Sequence, residues 1–336
     1  MKLLILSNNL NRPSFRQRIA VYLDTLRTNG IDCEVAKLPA GPLARLRLFK
    51  QAAKFDGVLL HKKGLNPFDA FWLRRYSKKL IYHFDDAIMY SDKTPDRDSR
   101  AHFVPFRRTV KLADMVVTAS IYLAELARKF NPNVKILPTG IRVSDYKADC
   151  PHKNDDKIRL VWIGSKTTLC YLAEVKPALE EIGARFDNVI LRIICDDFLD
   201  LHNMDVEKCK WSEGTRAVNL ATSDIGLAPL PDNRFTRGKC CFKILEYAVA
   251  GLPVIASPVG AHSGHIRDNI SGFLVKDTGE WVDRIAQLIE NPELRKQIGG
   301  ENLALAKSFD ISVIGKQLAE LITSCLHDIS GEILSS

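Results

Sequence analysis

The sequence predicts a doubly wound α/β protein built from two units of the Rossmann type, and three observations lead there. Short apolar, strand-like runs alternate with helical patterns, a polar stretch without period interrupts them near the middle, and the alternation then starts again. The chain has 336 residues, more than one hydrophobic core of about 250–300 residues comfortably holds. An apolar content of 46% with 26% charged residues excludes disordered, collagen-like and coiled-coil chains.

In the first half, strands are expected at 2–7, 33–38, 57–61, 80–83, 115–118 and 134–137, with helices at 14–28, 43–55 and 121–130. Residues 147–157 carry Pro151, charges and no apolar period, so they read as a linker. Beyond it come strand 158–163, helix 169–182, strands 189–195 and 225–228, helix 242–250, and strands 253–256 and 273–275. Trp281, Ile285, Leu288 and Ile289 mark one helical face near the end, and Ile314, Leu318, Leu321 and Ile322 another. The expected domains are therefore 1–150, 151–311 and a last helix, 312–336, that crosses back toward the first unit.

Several classes are set aside. The most apolar stretch, 247–261, is too short to span a bilayer and is broken by Pro253 and Pro258. Lys2 leads straight into Leu3–Leu6 as a strand, with no signal-peptide pattern. Eight cysteines without a C-x₂-C pair argue against zinc and redox motifs and fit a reducing, cytoplasmic setting.

Charge is unevenly divided. Residues 1–150 hold 27 basic and 14 acidic side chains, against 21 and 26 in 151–336. Without a nucleic-acid motif or aromatic interleaving, the basic half is read as facing phosphate-bearing substrates or an anionic membrane surface, or as a merely solvated face, and not as binding nucleic acid. The expected membrane contact is helix 42–55, which mixes Leu43, Leu46, Phe49 and Ala53 with Arg45, Arg47, Lys50 and Lys54. Such a seat would be peripheral, on the inner membrane face.

Ligands of open α/β sheets bind beyond the carboxyl ends of the strands. After the first strand, Arg16 and Arg18 enter a helix start and form a candidate anion site, unless they are simply solvated. His83, Asp85 and Asp86 end another strand, where the acidic pair would hold a metal, bind hydroxyls or cap a turn. His83 is either an acid/base group or structural. Gly164, Ser165 and Lys166 form a strand-to-helix turn that resembles half of a phosphate loop. Lys239, Lys243 and Glu246 gather about one helix start, where two ammonium groups would hold a diphosphate and Glu246 ribose hydroxyls; a Lys243–Glu246 ion pair is the structural alternative.

Residues 224–275 then decide between these readings. Asp224-Ile-Gly-Leu-Ala-Pro-Leu, Gly238-Lys-Cys-Cys-Phe-Lys-Ile-Leu-Glu-Tyr-Ala-Val-Ala-Gly-Leu-Pro-Val-Ile-Ala-Ser-Pro-Val-Gly260 and Gly272-Phe-Leu-Val275 resemble the donor-binding segment of family 4 glycosyltransferases. In the first half, Ser14-Phe-Arg-Gln-Arg18, Tyr82-His-Phe-Asp-Asp-Ala-Ile88 and Leu137-Pro-Thr-Gly-Ile141 resemble a bacterial subgroup of that family. The resemblance implies the GT-B fold, two Rossmann-like domains facing across a cleft. It also implies transfer of a sugar from a nucleotide diphosphate sugar to a glycan, lipid-linked or phosphorylated acceptor, with retained configuration and no metal or other cofactor, as in cell-envelope polysaccharide synthesis.

By position, Glu246 would grip the ribose, and Lys239, Lys243, Phe242 and the Gly164-Ser165-Lys166 turn would surround the nucleotide and its leaving diphosphate. His83 or the Asp85-Asp86 pair would face the transferred sugar or the acceptor, with Arg16 and Arg18 on the acceptor side. This sequence departs from the family where the first of two paired glutamates gives way to Gly238 and where Ala261-His-Ser-Gly-His265 lacks an acidic residue. A sugar-nucleotide-binding subunit without transfer activity is the alternative these departures leave; a phosphorylase or epimerase on the same fold is the enzymatic one.

Overall fold

The computed structural model describes residues 1–146 and 155–327. They form two compact units: the first takes 1–140, 233–240 and the segment from Ile311 onward, the second 141–232 and 241–310.

In the first unit, β1 (Lys2–Ser7), β2 (Asp32–Lys37), β3 (Gly57–His61), β4 (Leu80–Phe84), β5 (Met115–Thr118) and β6 (Val134–Ile136) make one parallel sheet in the order β2-β1-β3-β4-β5-β6. Its central strands are apolar and buried along their length because helices cover both faces. The helix expected at 14–28 breaks at Ile19, whose backbone leaves the helical region, giving Pro13–Arg18, a short 3₁₀ turn and Leu23–Thr28. That break turns Arg18 and Tyr22 inward together. Helix Ile311–His327 closes this unit: Gly315 lies against Tyr22 and Thr25, and Leu326 reaches Gly57.

In the second unit, β7 (Ile158–Ile163), β8 (Val189–Ile194), β9 (Asp205–Cys209), β10 (Ile225–Ala228), β11 (Val254–Ala256) and β12 (Gly272–Leu274) form a parallel sheet in the order β12-β11-β10-β7-β8-β9. Strand β9 was not foreseen, since it is a polar edge strand. Its Glu207 takes Arg192 of β8 through two hydrogen bonds, of 2.8 and 3.1 Å, and Arg159 of β7 through one of 3.3 Å. The helix expected at 169–182 divides into Leu169–Ala173 and Lys176–Arg185, the second starting at a Pro177 that suits a first turn.

The boundary expected at residue 150 differs from the observed one, which falls after Gly140. Ile141 bridges to Asp310, and Tyr146 packs into a core of the second unit. Residues 233–240, expected with the second domain, group with the first. Of the expected linker, 147–154 lie outside the described residues.

Candidate functional site

In the second sheet, β7 lies between β8 and β10, and strand order reverses there, the place beyond the strand ends where open α/β sheets take their ligands. Gly164 follows β7. A Cβ there would overlap the Trp162 indole and stand 2.8 Å from Lys243 Nζ, so only glycine lets the loop pass this close. Lys243 lies in the first turn of helix Phe242–Val249, its ammonium 4.2 Å from the centre of the Trp162 ring. The half-buried Phe242 is the first residue of that helix, which follows Cys241 in a left-handed conformation, φ +58°.

Glu246, one turn further on, is 5% exposed and accepts a 2.9 Å hydrogen bond from the Tyr146 hydroxyl. The Arg216 guanidinium covers the Tyr146 ring at 5.1 Å and pairs with Asp145 at 3.3 Å. Burial pushes the Glu246 carboxyl up to about 7, while the Tyr146 hydrogen bond and the charges of Arg216 and Lys243 pull it back. The carboxyl accepts from Tyr146, and the ammonium, three residues before it, lies over the Trp162 ring.

Ser165 caps the 3₁₀ turn Lys166–Thr168, and the largely exposed Lys166 pairs with Asp197 at 3.0 Å, after β8. Lys239, expected in or near the first turns of the helix, lies three residues before it. It has extended backbone, lies over the Phe235 ring at 4.6 Å and belongs to the segment grouped with the first unit.

In the first unit the reversal lies between β1 and β3, and a small pocket there is lined by Ser7, Asn8, Asn9, Arg12, Ser14, His61 and Lys62. Behind it runs a chain of hydrogen bonds whose direction is fixed at one end. A guanidinium only donates, so at the 3.1 Å contact of Arg18 with His83 the Nε2 of His83 accepts. His83 then carries its proton on Nδ1 and donates it, at 3.1 Å, to Nδ1 of His61. His61 Nε2 donates to Ser14 Oγ at 3.1 Å, and Ser14 donates to Asp85 Oδ1 at 2.9 Å. Burial keeps both imidazoles neutral, His61 pushed down to about 4 and His83 well below its usual value. The order of the two rings follows from β3 and β4, whose register makes His61 and His83 direct neighbours.

Lys62, held at φ +53°, places its ammonium on Asp85, 3.2 Å away, and on Asp86. Where a metal was one expectation for the acidic pair, a lysine stands. His83 is wholly buried, and so cannot itself face an acceptor as expected; His61 is the histidine that lines the pocket. Arg18 likewise departs from the acceptor wall: it is 1% exposed and also donates to Leu137 O and Thr139 Oγ1 at 2.8 and 3.1 Å. Arg16 is exposed. Among the residues that sequence reasoning missed, His61 had a signal, a histidine at a strand end beside another; Tyr146 and Arg216 had none.

At Gly238, where the family's first glutamate would stand, a Cβ would lie 2.6 Å from Ala87 Cβ and 2.7 Å from Ala87 N. The backbone after Asp85 and Asp86 fills the space a side chain would need.

Two units of this kind, each with a six-stranded parallel sheet, make a fold of the GT-B type, and comparison with known proteins finds similarity to glycosyltransferases. Residues 152–291 match the family model described as Glycosyl transferases group 1. The chain is 31% identical over 86 residues to a D-inositol 3-phosphate glycosyltransferase of Streptomyces scabiei, a stretch covering 25% of this chain and 19% of that protein. Similar folds are the Anabaena HepE protein in complex with UDP-glucose (16% identity, 96% of this chain and 100% of that one, TM-score 0.69) and sucrose-phosphate synthase of Thermosynechococcus elongatus (14%, 96% and 98%, TM-score 0.72).

Proposed function

We propose that this protein transfers a sugar from a nucleotide diphosphate sugar to an acceptor, with retention of configuration. The observation that carries the reading is Glu246, a buried carboxylate held by Tyr146 one helical turn from Lys243 at the strand-order reversal of the second sheet. In this reading Glu246 accepts hydrogen bonds from the ribose hydroxyls. Lys243, with the amides at its helix start, meets the charge that grows on the diphosphate as the glycosidic bond breaks, and that electrostatic stabilisation is the main catalytic contribution.

The first unit takes the acceptor at the pocket of Ser14, His61 and Lys62, where the ammonium donates to hydroxyls or a phosphate and Ser14 Oγ accepts from a hydroxyl. We read the reaction as independent of a resident metal, because the Lys62 ammonium already sits between Asp85 and Asp86 where a cation would be held. The acceptor is a glycan, lipid-linked or phosphorylated compound of the cell envelope, and the protein works in the cytoplasm, peripherally on the inner membrane face. The Streptomyces scabiei relative is a glycosyltransferase, which weighs against a binding subunit without activity.

The test is a thermal-shift series with UDP, GDP, ADP, CMP and dTDP and their sugars, in EDTA and then in magnesium. UDP comes first because the HepE structure holds UDP-glucose. A ligand at about 100 times its Kd stabilises the folded state by about 2.7 kcal/mol. A shift from one nucleotide series in EDTA supports the reading; no shift from any nucleotide overturns it. Retention is read from the anomeric proton coupling of the product.

A further inference from the structure

Three of the exposed large apolar side chains of the first unit, Leu43 (70% exposed), Phe68 (40%) and Phe71 (62%), lie on two helices that pack side by side, Pro42–Gln51 and Pro67–Tyr76. Arg45 on one pairs with Asp69 on the other at 2.9 Å, which brings their first turns together. Both helices follow strands of the parallel sheet, β2 and β3, so these first turns lie on the side where the strands end. That is also the side of the pocket of Ser14, His61 and Lys62.

Each helix carries one exposed stripe that changes character along its length. On the first helix the stripe runs Leu43, Arg47, Lys50 and on to Lys54; on the second it runs Phe68, Phe71, Arg75 and on to Lys78. The apolar end comes first and the basic end about 5–10 Å further along, at a rise of about 1.5 Å per residue. Neither helix exposes a carboxylate, since their one acidic residue, Asp69, is buried under Arg45. Trp72, stacked on Tyr76 and edge-on to Phe71 at 5.0 Å, backs the apolar end. Phe49, expected in a membrane face, is instead fully buried, and Leu46 is half-buried, so the one-helix contact read from the sequence is replaced by a two-helix one.

We infer that this patch seats the protein on an anionic phospholipid surface, with Leu43, Phe68 and Phe71 inserted at the acyl boundary and Arg47, Lys50, Lys54 and Arg75 at the headgroup phosphates. An apolar tip about 5–10 Å deep backed by a basic band is the arrangement that an interface presents in mirror image. A protein partner matched to this patch would need carboxylates around an apolar centre, whereas a bilayer supplies that order along its normal. The acceptor pocket then opens toward the membrane, and the acceptor is an amphiphile whose polar head enters the pocket from the lipid surface. This last step rests on the transferase reading; the seat itself does not.

The test is flotation of the full chain with vesicles of phosphatidylcholine alone and of phosphatidylcholine with phosphatidylglycerol, at low and high salt. The wild type is expected to float with the anionic vesicles and to lose most binding at high salt. Phe68→Ser with Phe71→Ser should weaken binding about tenfold or more, and Arg47→Glu with Lys50→Glu by a similar factor, at about 1 kcal/mol for each basic residue near the surface. All four are exposed positions, and unchanged melting temperatures establish that the variants fold.

Trp72 gives a second reading, because its emission should shift to the blue on anionic vesicles, and Trp72→Phe should abolish that change. Equal flotation of wild type and both variants, or no flotation of the wild type, overturns the proposal. Nucleotide thermal shifts in the same samples report on the transferase reading separately.

Discussion

The hydroxyl of Tyr146 donates to Oε1 of Glu246 at 2.9 Å, and with that one bond a residue 100 positions away in the chain orients the carboxylate proposed to hold the ribose. One oxygen is thereby engaged, and the proposal gives the other to ligand hydroxyls. Removing the donor leaves a buried carboxyl short of a partner, which costs about 1–3 kcal/mol. Tyr146→Phe is expected to lower the melting temperature and weaken nucleotide binding, while Glu246→Gln weakens binding with a smaller loss of stability. Calorimetric titration with denaturation curves separates the two; a Tyr146→Phe protein with unaltered affinity would remove the orienting role.

Because the Glu246 carboxyl is pushed up to about 7, its ionisation falls within the working range of a binding experiment. Ribose hydroxyls donate better to the carboxylate than to the acid. Affinity for a nucleotide sugar, whose esterified diphosphate does not titrate here, should therefore rise as much as about tenfold between about pH 6 and about pH 8. In Glu246→Gln the profile should be flat. A flat wild-type profile would mean that the carboxyl does not titrate while binding.

Gly238 stands where the family places a glutamate, and its position explains the substitution. The Ala87 backbone nitrogen would lie 2.7 Å from any Cβ, and backbone cannot swing aside as a flexible side chain can. Gly238→Glu is expected to destabilise the protein by about 1–3 kcal/mol and to bring no gain in turnover. A variant as stable as wild type and faster would show that the site lacks a group that can simply be put back.

The strands were legible because each is a short apolar run bounded by turn residues: 57–61, 115–118, 158–163 and 225–228 are as expected to the residue. Strand β9 was not, because at an open edge its half-exposed positions take charges, and only Arg192 beneath them reveals why. Lys243 and Glu246 were readable from their spacing on one helix. Tyr146 and Arg216 come to their site from distant stretches through tertiary packing, which no local pattern carries. Arg18 and Arg16 look equivalent in sequence, yet two positions apart on helix Pro13–Arg18 they lie on different faces, one buried and the other in solvent.

Lys62 keeps a left-handed backbone, unfavourable for a side chain with a Cβ, and its ammonium neutralises a carboxylate that is almost wholly buried. The Lys62 charge holds Asp85 well below the usual carboxylate range against the opposing effect of burial. Lys62→Met is expected to destabilise by about 3–5 kcal/mol, as removal of one partner of a buried pair does. Lys62→Met with Asp85→Asn should recover part of that loss. Asp85, lowered in the folded state, contributes stability that is present above its unfolded value of 3.8 and is lost as pH falls through the lowered one. A single variant as stable as wild type would show that Asp85 is not ionised in the fold.

Two sets of buried groups titrate with opposite effect on stability, and their windows overlap. His61 and His262 are each pushed down to about 4 and His83 well below 6.5, so the folded state keeps them neutral while the unfolded chain takes protons below about pH 6.5. Their contribution is present above that pH and lost as pH falls. Glu246 behaves in reverse: its folded value of about 7 lies above the unfolded 4.5, so its contribution is present below pH 4.5 and lost as pH rises toward 7. Each group that is fully charged in one state and neutral in the other changes the slope by about 1.4 kcal/mol per pH unit. Between about pH 4.5 and about pH 6.5 the histidines outnumber the carboxyl, so wild-type stability from urea unfolding should rise with pH. Glu246→Gln should steepen that rise by about one such unit, and His61→Asn should flatten it by about the same. Parallel curves for the three proteins would mean that these side chains are not held in the protonation states that their burial and hydrogen bonds require.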